Sequence, residues 1–123
     1  KTILIVEDNE KNMKLARDIL RAKGYAVLEA VNGLDGVALA LQHRPDLVLM
    51  DIQLPDINGI EAFTRIRADA ATAKVPVVAF TASVTVNDRS RIGDAGFDGF
   101  LGKPINLKEF LETVRRVLGE GTA

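Results

Sequence analysis

Leu47-Val48-Leu49-Met50-Asp51 is the stretch on which the fold turns: four apolar residues without a polar interruption, closed by a carboxylate. A strand with one wet face alternates apolar and polar residues. An unbroken short run reads instead as a strand covered on both faces, the habit of parallel sheets flanked by helices. Similar runs recur outward from it, at Ile3-Leu4-Ile5-Val6, Tyr25-Ala26-Val27-Leu28, Val75 to Phe80 around Pro76, and Phe97 to Leu101. Periodicity alone leaves buried helix open for each of them, and their shortness favours strands.

Helix signals fill the gaps. Asn9 or Asp8 caps a helix through Lys23, which Gly24 stops. Leu34, Val37, Ala38 and Leu41 fall at i, i+3, i+4, i+7 and predict a core-facing stripe. Asn58 with Glu61 opens a helix through about Arg67, and Asn106 with Glu109 repeats the device. The second of these carries the clearest stripe in the chain: Leu107, Phe110, Leu111, Val114 and Leu118. Val84 to Ala95 is a poorer helix, with Val84 or Val86, Ile92 and Ala95 as its inward candidates. Thin packing suits a moving part. Strict alternation of strands and helices implies a doubly wound α/β sandwich. Right-handed crossovers leave few topologies, and the flavodoxin-like order 2-1-3-4-5, a five-stranded parallel sheet with five helices, is the expected one.

Composition narrows the function. With 16 Lys and Arg against 17 Asp and Glu, the net charge of -1 argues against binding a nucleic-acid backbone. The absence of cysteine removes disulfides, thiolate metal sites and thiol catalysis, and fits a cytoplasmic location. No apolar run approaches the roughly 18 residues of a membrane span. The chain opens on Lys1 rather than Met, so a trimmed start is expected. Residues 1–119 are expected to form one domain, and 120–123 a flexible tail or the beginning of a linker.

In a doubly wound sheet, ligands bind beyond the carboxyl ends of the strands, where the winding reverses. Glu7 and Asp8 follow the first run, Asp51 ends the third, Thr81 follows the fourth and Lys103-Pro104 the fifth. Three carboxylates in one crevice repel unless a cation sits among them. Magnesium, a hard ion that takes oxygen ligands and shares phosphate, is the expected occupant. Asp8 and Asp51 would ligate it directly, Glu7 through water, and the backbone carbonyl of Gln53 lies within reach. Asp51 then becomes a candidate nucleophile, because phosphoryl transfer depends on positioning and charge neutralisation. Thr81 and Lys103 would hold the oxygens of the transferred group. Each residue also has a purely structural reading: Glu7-Asp8 as a helix cap, Asp51 as a strand-end acid, Thr81 as a strand residue, Lys103 as a solvated loop lysine. Those readings leave unexplained why all of them fall after strands whose ends meet at one point.

From Lys1 to about Gly119 the chain resembles the receiver domain of two-component response regulators. The matching pieces are Leu4-Ile5-Val6-Glu7-Asp8-Asn9, Pro45 through Pro55 with Asp51 at its centre, Asn58-Gly59, Phe80-Thr81-Ala82 and Gly102-Lys103-Pro104. The resemblance implies that Asp51 is the phosphoacceptor, Glu7 and Asp8 the acidic pair, Thr81 the switch hydroxyl and Phe100 the switch aromatic. It also implies a cis Lys103-Pro104 bond, Mg2+ as cofactor, and a histidine kinase or histidine phosphotransferase as phosphodonor. A downstream protein would be met through helix 4, strand 5 and helix 5, with neither nucleic acid nor membrane as partner, by a monomer or weak dimer. The protein would be no enzyme beyond its own phosphorylation and dephosphorylation. The stretch Val6 to Leu15 is similar to the stand-alone receivers of the DivK type, bacterial relays of cell-cycle control. A receiver excised from a hybrid histidine kinase or a longer response regulator is the alternative.

Rival classes fit less well. An aspartyl-phosphate hydrolase of the haloacid-dehalogenase kind needs an acid two residues after its nucleophile, where Gln53 stands and can move no proton. A flavodoxin-like cofactor binder needs a phosphate-cradling loop where Glu7-Asp8-Asn9-Glu10 would repel one. A receiver-shaped module that is never phosphorylated would have no need of the full set of site residues. His43, the single histidine, falls at a helix end beside Arg44-Pro45 and is expected to face solvent, so the phosphodonor imidazole belongs to a partner.

Overall fold

The computed structural model describes residues 1–82 and 86–119, with the side chains of 86–89 excepted. Strands and helices alternate throughout: β1 (Thr2–Val6), α1 (Glu10–Ala22), β2 (Ala26–Ala30), α2 (Gly33–His43), β3 (Leu47–Asp51), α3 (Gly59–Ala68), β4 (Val77–Thr81), α4 (Val86–Ala95), β5 (Gly99–Gly102) and α5 (Leu107–Val117). All neighbouring strands are parallel, in the order β2-β1-β3-β4-β5. The flavodoxin-like expectation is met.

The unbroken apolar runs do what their pattern implies. β3 and β4 are buried at every residue. One face of the sheet (Ile3, Ile5, Leu47, Leu49, Val78, Phe80) packs on Met13, Ala16 and Leu20 of α1 and on Phe110, Leu111 and Val114 of α5. The other (Leu4, Val6, Val48, Met50, Val77) packs on Ala40 of α2 and on Ala62, Phe63 and Ile66 of α3. Full burial of each large side chain contributes about 1.5–3 kcal/mol. The two edge strands, β2 and β5, are partly exposed, and β2 runs to Ala30 rather than stopping at Leu28. The caps hold: Asn9 accepts from Asn12 N, Asn58 from Glu61 N and Asn106 from Glu109 N. Gly24, at φ +89°, ends α1 in the left-handed region that favours glycine.

Two stripes need correction. On α2 the inward residues are Gly33, Gly36 and Ala40. Leu34 and Leu41 remain 48% and 36% exposed, so the stripe centred on them is not the core face. The helix lies too close to the sheet for larger residues: a Cβ at Gly36 would stand 2.7 Å from Val6 Cγ2. On α5, Leu107 is exposed at the first turn, while Phe110, Leu111 and Val114 are buried as expected.

The described side chains of α4 pack thinly. Between Ser90 and Ala95, Ile92 is buried, Ala95 is partly buried and the rest are exposed. Val84, Ser83 and the tail 120–123 lie outside the described residues, and nothing is described of the Val86 side chain. Where α4 leads into β5, Asp98 accepts from Val77 N and from the Arg67 guanidinium, each at 2.8 Å. Arg67 lies 4.8 Å from the centroid of the Phe63 ring, which stacks on Phe97 at 4.2 Å. These contacts tie the start of β5 to α3.

Candidate functional site

The crevice forms where the crossovers from β1 and β3 leave in opposite directions. Glu7 continues from β1, and its N–H donates to Ala30 O at 2.9 Å. Its side chain is fully buried, whereas the adjacent Asp8 is exposed. Asp51 closes β3, 4% exposed. Oxygens of Glu7, Asp8 and Asp51 all lie within 4.8 Å of one another. Thr81 ends β4, 1% exposed, in register with Gly102 of β5. The Lys103-Pro104 bond is cis. Lys103 Nζ lies 3.1 Å from Asp51 Oδ2, pairs closely with Glu7 Oε1, and sits 4.8 Å from the Phe80 ring centroid. Three carboxylates, a hydroxyl-bearing strand end and an ammonium are thus brought to one place.

Burial comes first in setting the state of Glu7, and its neighbours adjust it. Burial pushes the Glu7 carboxyl up to about 7, and the Asp51 carboxylate adds to the shift. The Lys103 ammonium and the Asn9 N–H, 3.1 Å from Oε2, oppose it without cancelling it. Lys103 Nζ is the ion-pair partner of the buried Glu7 Oε1, which among the described residues is otherwise without a partner. A buried carboxylate oxygen in that condition, beside two further carboxylates, is a donor set suited to a hard divalent cation. Residues and ion fit each other.

The loop from β3 to α3 bends back over the site. Gln53 N donates to Asp51 Oδ1 at 3.0 Å, and Gly59 N to Ile52 O at 2.9 Å. Gly59 packs against the Asp51 backbone so closely that a Cβ has no room. On the far side, a cavity of about 190 Å³ is lined by Gln53, Asn58, Thr81, Arg91 and Ile92, among others. Beside it a groove of about 240 Å³ is lined by Ile92, Gly93, Phe97, Gly99 and the partly buried Phe100.

Sequence reasoning missed Asp56. Its carboxylate accepts from Gly33 N and Leu34 N of α2, each at 2.8 Å. A partner more than 20 residues away leaves no local signal. It missed Asn32 too, which caps α2 by accepting from Asp35 N at 2.8 Å. There the Asn-x-x-Asp spacing was signal enough. His43 is exposed at the end of α2, as expected.

Residues 3–115 match the response regulator receiver domain family. The polar-differentiation response regulator DivK of Brucella anthropi is 44% identical over 98% of both chains. Its counterpart in Brucella abortus is 42% identical over the same share. Among solved structures, the receiver domain of a Pseudomonas aeruginosa sensor histidine kinase, crystallised with a magnesium ion coordinated in its active-site cleft, superposes with a TM-score of 0.90. That pair is 35% identical and covers 97% of this chain and 98% of the other. A receiver domain protein from Methanospirillum hungatei gives a TM-score of 0.89 at 28% identity, covering 98% and 94%.

Proposed function

The chain belongs to the response regulator receiver domain family, and from that premise we propose that it accepts a phosphoryl group on Asp51 from a phosphohistidine of a histidine kinase or histidine phosphotransferase, with Mg2+ as cofactor. The observation that carries the reading is the meeting of Glu7, Asp8 and Asp51 within 4.8 Å, with Lys103 Nζ 3.1 Å from Asp51. Glu7, Asp8, Asp51 and the Gln53 carbonyl are the candidate metal ligands. Bound there, the ion would offset the charge of the acids and of the phosphoryl oxygens.

An Asp51 carboxylate oxygen attacks phosphorus as the bond to the donor imidazole breaks, and that bond's electron pair leaves with the nitrogen. Lys103 takes a phosphoryl oxygen in exchange for part of its contact with Asp51. Burial keeps the acyl phosphate away from bulk water. The protein is a signalling component that catalyses only its own phosphorylation and dephosphorylation, and we place it in the cytoplasm, as a monomer or weak dimer with residues 1–119 as the receiver. The new charge draws the Thr81 hydroxyl by a charge-assisted hydrogen bond. Phe100 then turns inward, altering the surface of α4, β5 and α5 that meets the downstream protein.

A small acyl phosphate with magnesium tests the reading by intact mass. One phosphoryl group should appear on the parent and none on Asp51→Asn, since an amide is a poor nucleophile. Equal labelling of the two would refute it.

A further inference from the structure

We propose that Asp56 is a positioning residue for the metal site: it staples the loop that carries Gln53 onto the N-terminus of α2. The inference rests on the magnesium reading above and deepens it.

The first N–H groups of a helix have no partner within the helix. In α2 all three of the first are satisfied, and two of them from a distance: Gly33 N donates to Asp56 Oδ1 and Leu34 N to Asp56 Oδ2, each at 2.8 Å, while Asp35 N donates to Asn32. A two-oxygen grip fixes orientation as well as distance. The surfaces around it are in close contact. Gly33 is buried, and a Cβ there would lie 2.5 Å from Ile57 Cγ1 and 3.3 Å from Asp56 Oδ1. Asp56 itself is exposed, so removing its carboxylate takes away the two hydrogen bonds and leaves the Gly33–Ile57 packing to hold the junction alone.

What the junction holds is the chain between Asp51 and Gly59. That segment is pinned at the site by Gln53 N on Asp51 Oδ1, and at its far end by Gly59 N on Ile52 O and the Asn58 cap. Those anchors tie the loop to β3, which pairs with β1 through Val6 and Met50 and so sets Asp51 against Glu7, while Leu54 and Ile57 rest on the core. Asp56 reaches beyond β3 and α3 to a helix that packs on β1, the strand leading to Glu7 and Asp8. Metal ligands contributed by β1 and by the β3–α3 loop must keep a common geometry, and Asp56 joins the two contributors. Asp56 touches no candidate ligand itself, so its effect should fall at the low end of what groups bonded directly to metal ligands exert.

The test uses the full chain. Magnesium affinity is measured by calorimetry on the parent, Asp56→Ala, Asp56→Asn and Arg67→Ala. The last removes the clamp at the start of β5, away from the crevice, and controls for lost stability. Asp56→Ala should weaken magnesium by on the order of tenfold, Asp56→Asn, with one acceptor left, by less, and Arg67→Ala not at all. Phosphorylation of Asp56→Ala by a small acyl phosphate should recover at saturating magnesium. In the metal-free protein, hydrogen exchange at the Gln53 amide should accelerate in both Asp56 variants while the α5 amides keep the parent rate. Parent affinity in both Asp56 variants, or an equal loss in Arg67→Ala, overturns the inference and leaves the metal site standing. A parent that binds no magnesium overturns the metal reading itself, and unaccelerated exchange at Gln53 then disposes of the staple independently.

Discussion

Helices α5 and α2 carry apolar residues at the same helical spacing, and they use them in opposite ways. α5 sinks Phe110, Leu111 and Val114 into the core. α2 turns Leu34 and Leu41 toward solvent, lays Gly36 and Ala40 on the sheet and sets Gly33 against Ile57 of the β3–α3 loop. Separation from the sheet decides. At α5 there is room for a phenyl ring, whose centroid lies 6.3 Å from that of Phe80. At α2 even a methyl group at Gly36 would press on Val6. Apolar periodicity identifies a helix, but where a helix docks closely, its smallest residues select the buried face. The close docking brings the α2 N-terminus within reach of Asp56, in the loop that follows Asp51.

The largest effect should come from exchanging one side chain on each helix for alanine. Phe110→Ala empties a buried site and should cost about 3–5 kcal/mol. Leu41→Ala, on the exposed stripe, should cost less than about 1 kcal/mol. Urea unfolding of both variants measures the difference, and equal costs would break the contrast between the helices.

A smaller effect concerns a buried group that is not apolar. Glu7 is as deeply buried as any core leucine, but burial and Asp51 raise its carboxyl from 4.5 to about 7. A carboxyl whose folded value is raised binds its proton more tightly in the native state. Stability from this source is therefore complete below about pH 4.5 and is lost as pH rises through 7, by up to about 3 kcal/mol. The metal-free protein should accordingly be more resistant to urea at pH 5 than at pH 7.5. Glu7→Gln should flatten that dependence, and magnesium should restore stability at the higher pH. An unchanged slope in Glu7→Gln would assign the pH dependence to other groups.

Much of this was readable before any coordinates, and the reasons are local. Strands β1, β3 and β4 announce themselves because a central strand needs apolar residues on both faces. Asn9, Asn58 and Asn106 do so because a cap acts three residues away. Glu7, Asp8, Asp51, Thr81 and Lys103 were found together because strand ends in this topology converge. What stayed hidden depends on distances between elements. Neither the outward turn of Leu34 and Leu41, nor the exposure of Leu107, nor the reach of Asp56 to α2 is written in any short window. Glu7 gave its place but not its depth: the contrast with exposed Asp8 arises only once the sheet and the Lys103 side chain close over it.

The smallest predicted effect sharpens the comparison most, because it rests on sign. Replacing a helical glycine by alanine normally stabilises a helix by about 1 kcal/mol, since alanine loses less backbone freedom on folding. Gly93 of α4 should follow that rule, because a Cβ there meets nothing within 4 Å among the described residues. Gly36 of α2 should reverse it. Its added methyl would stand 2.7 Å from Val6 Cγ2 and 2.9 Å from Cγ1. Val6 is fully buried, β-branched and packed among Leu4, Ala30 and Met50, so it has no easy rotamer to move into. Overpacking of this kind costs about 1–3 kcal/mol, enough to outweigh the propensity gain. Thermal unfolding should therefore place Gly93→Ala above the parent and Gly36→Ala below it. A rise in both melting temperatures would show that α2 has slack against the sheet, and close docking would no longer explain why its leucines face outward.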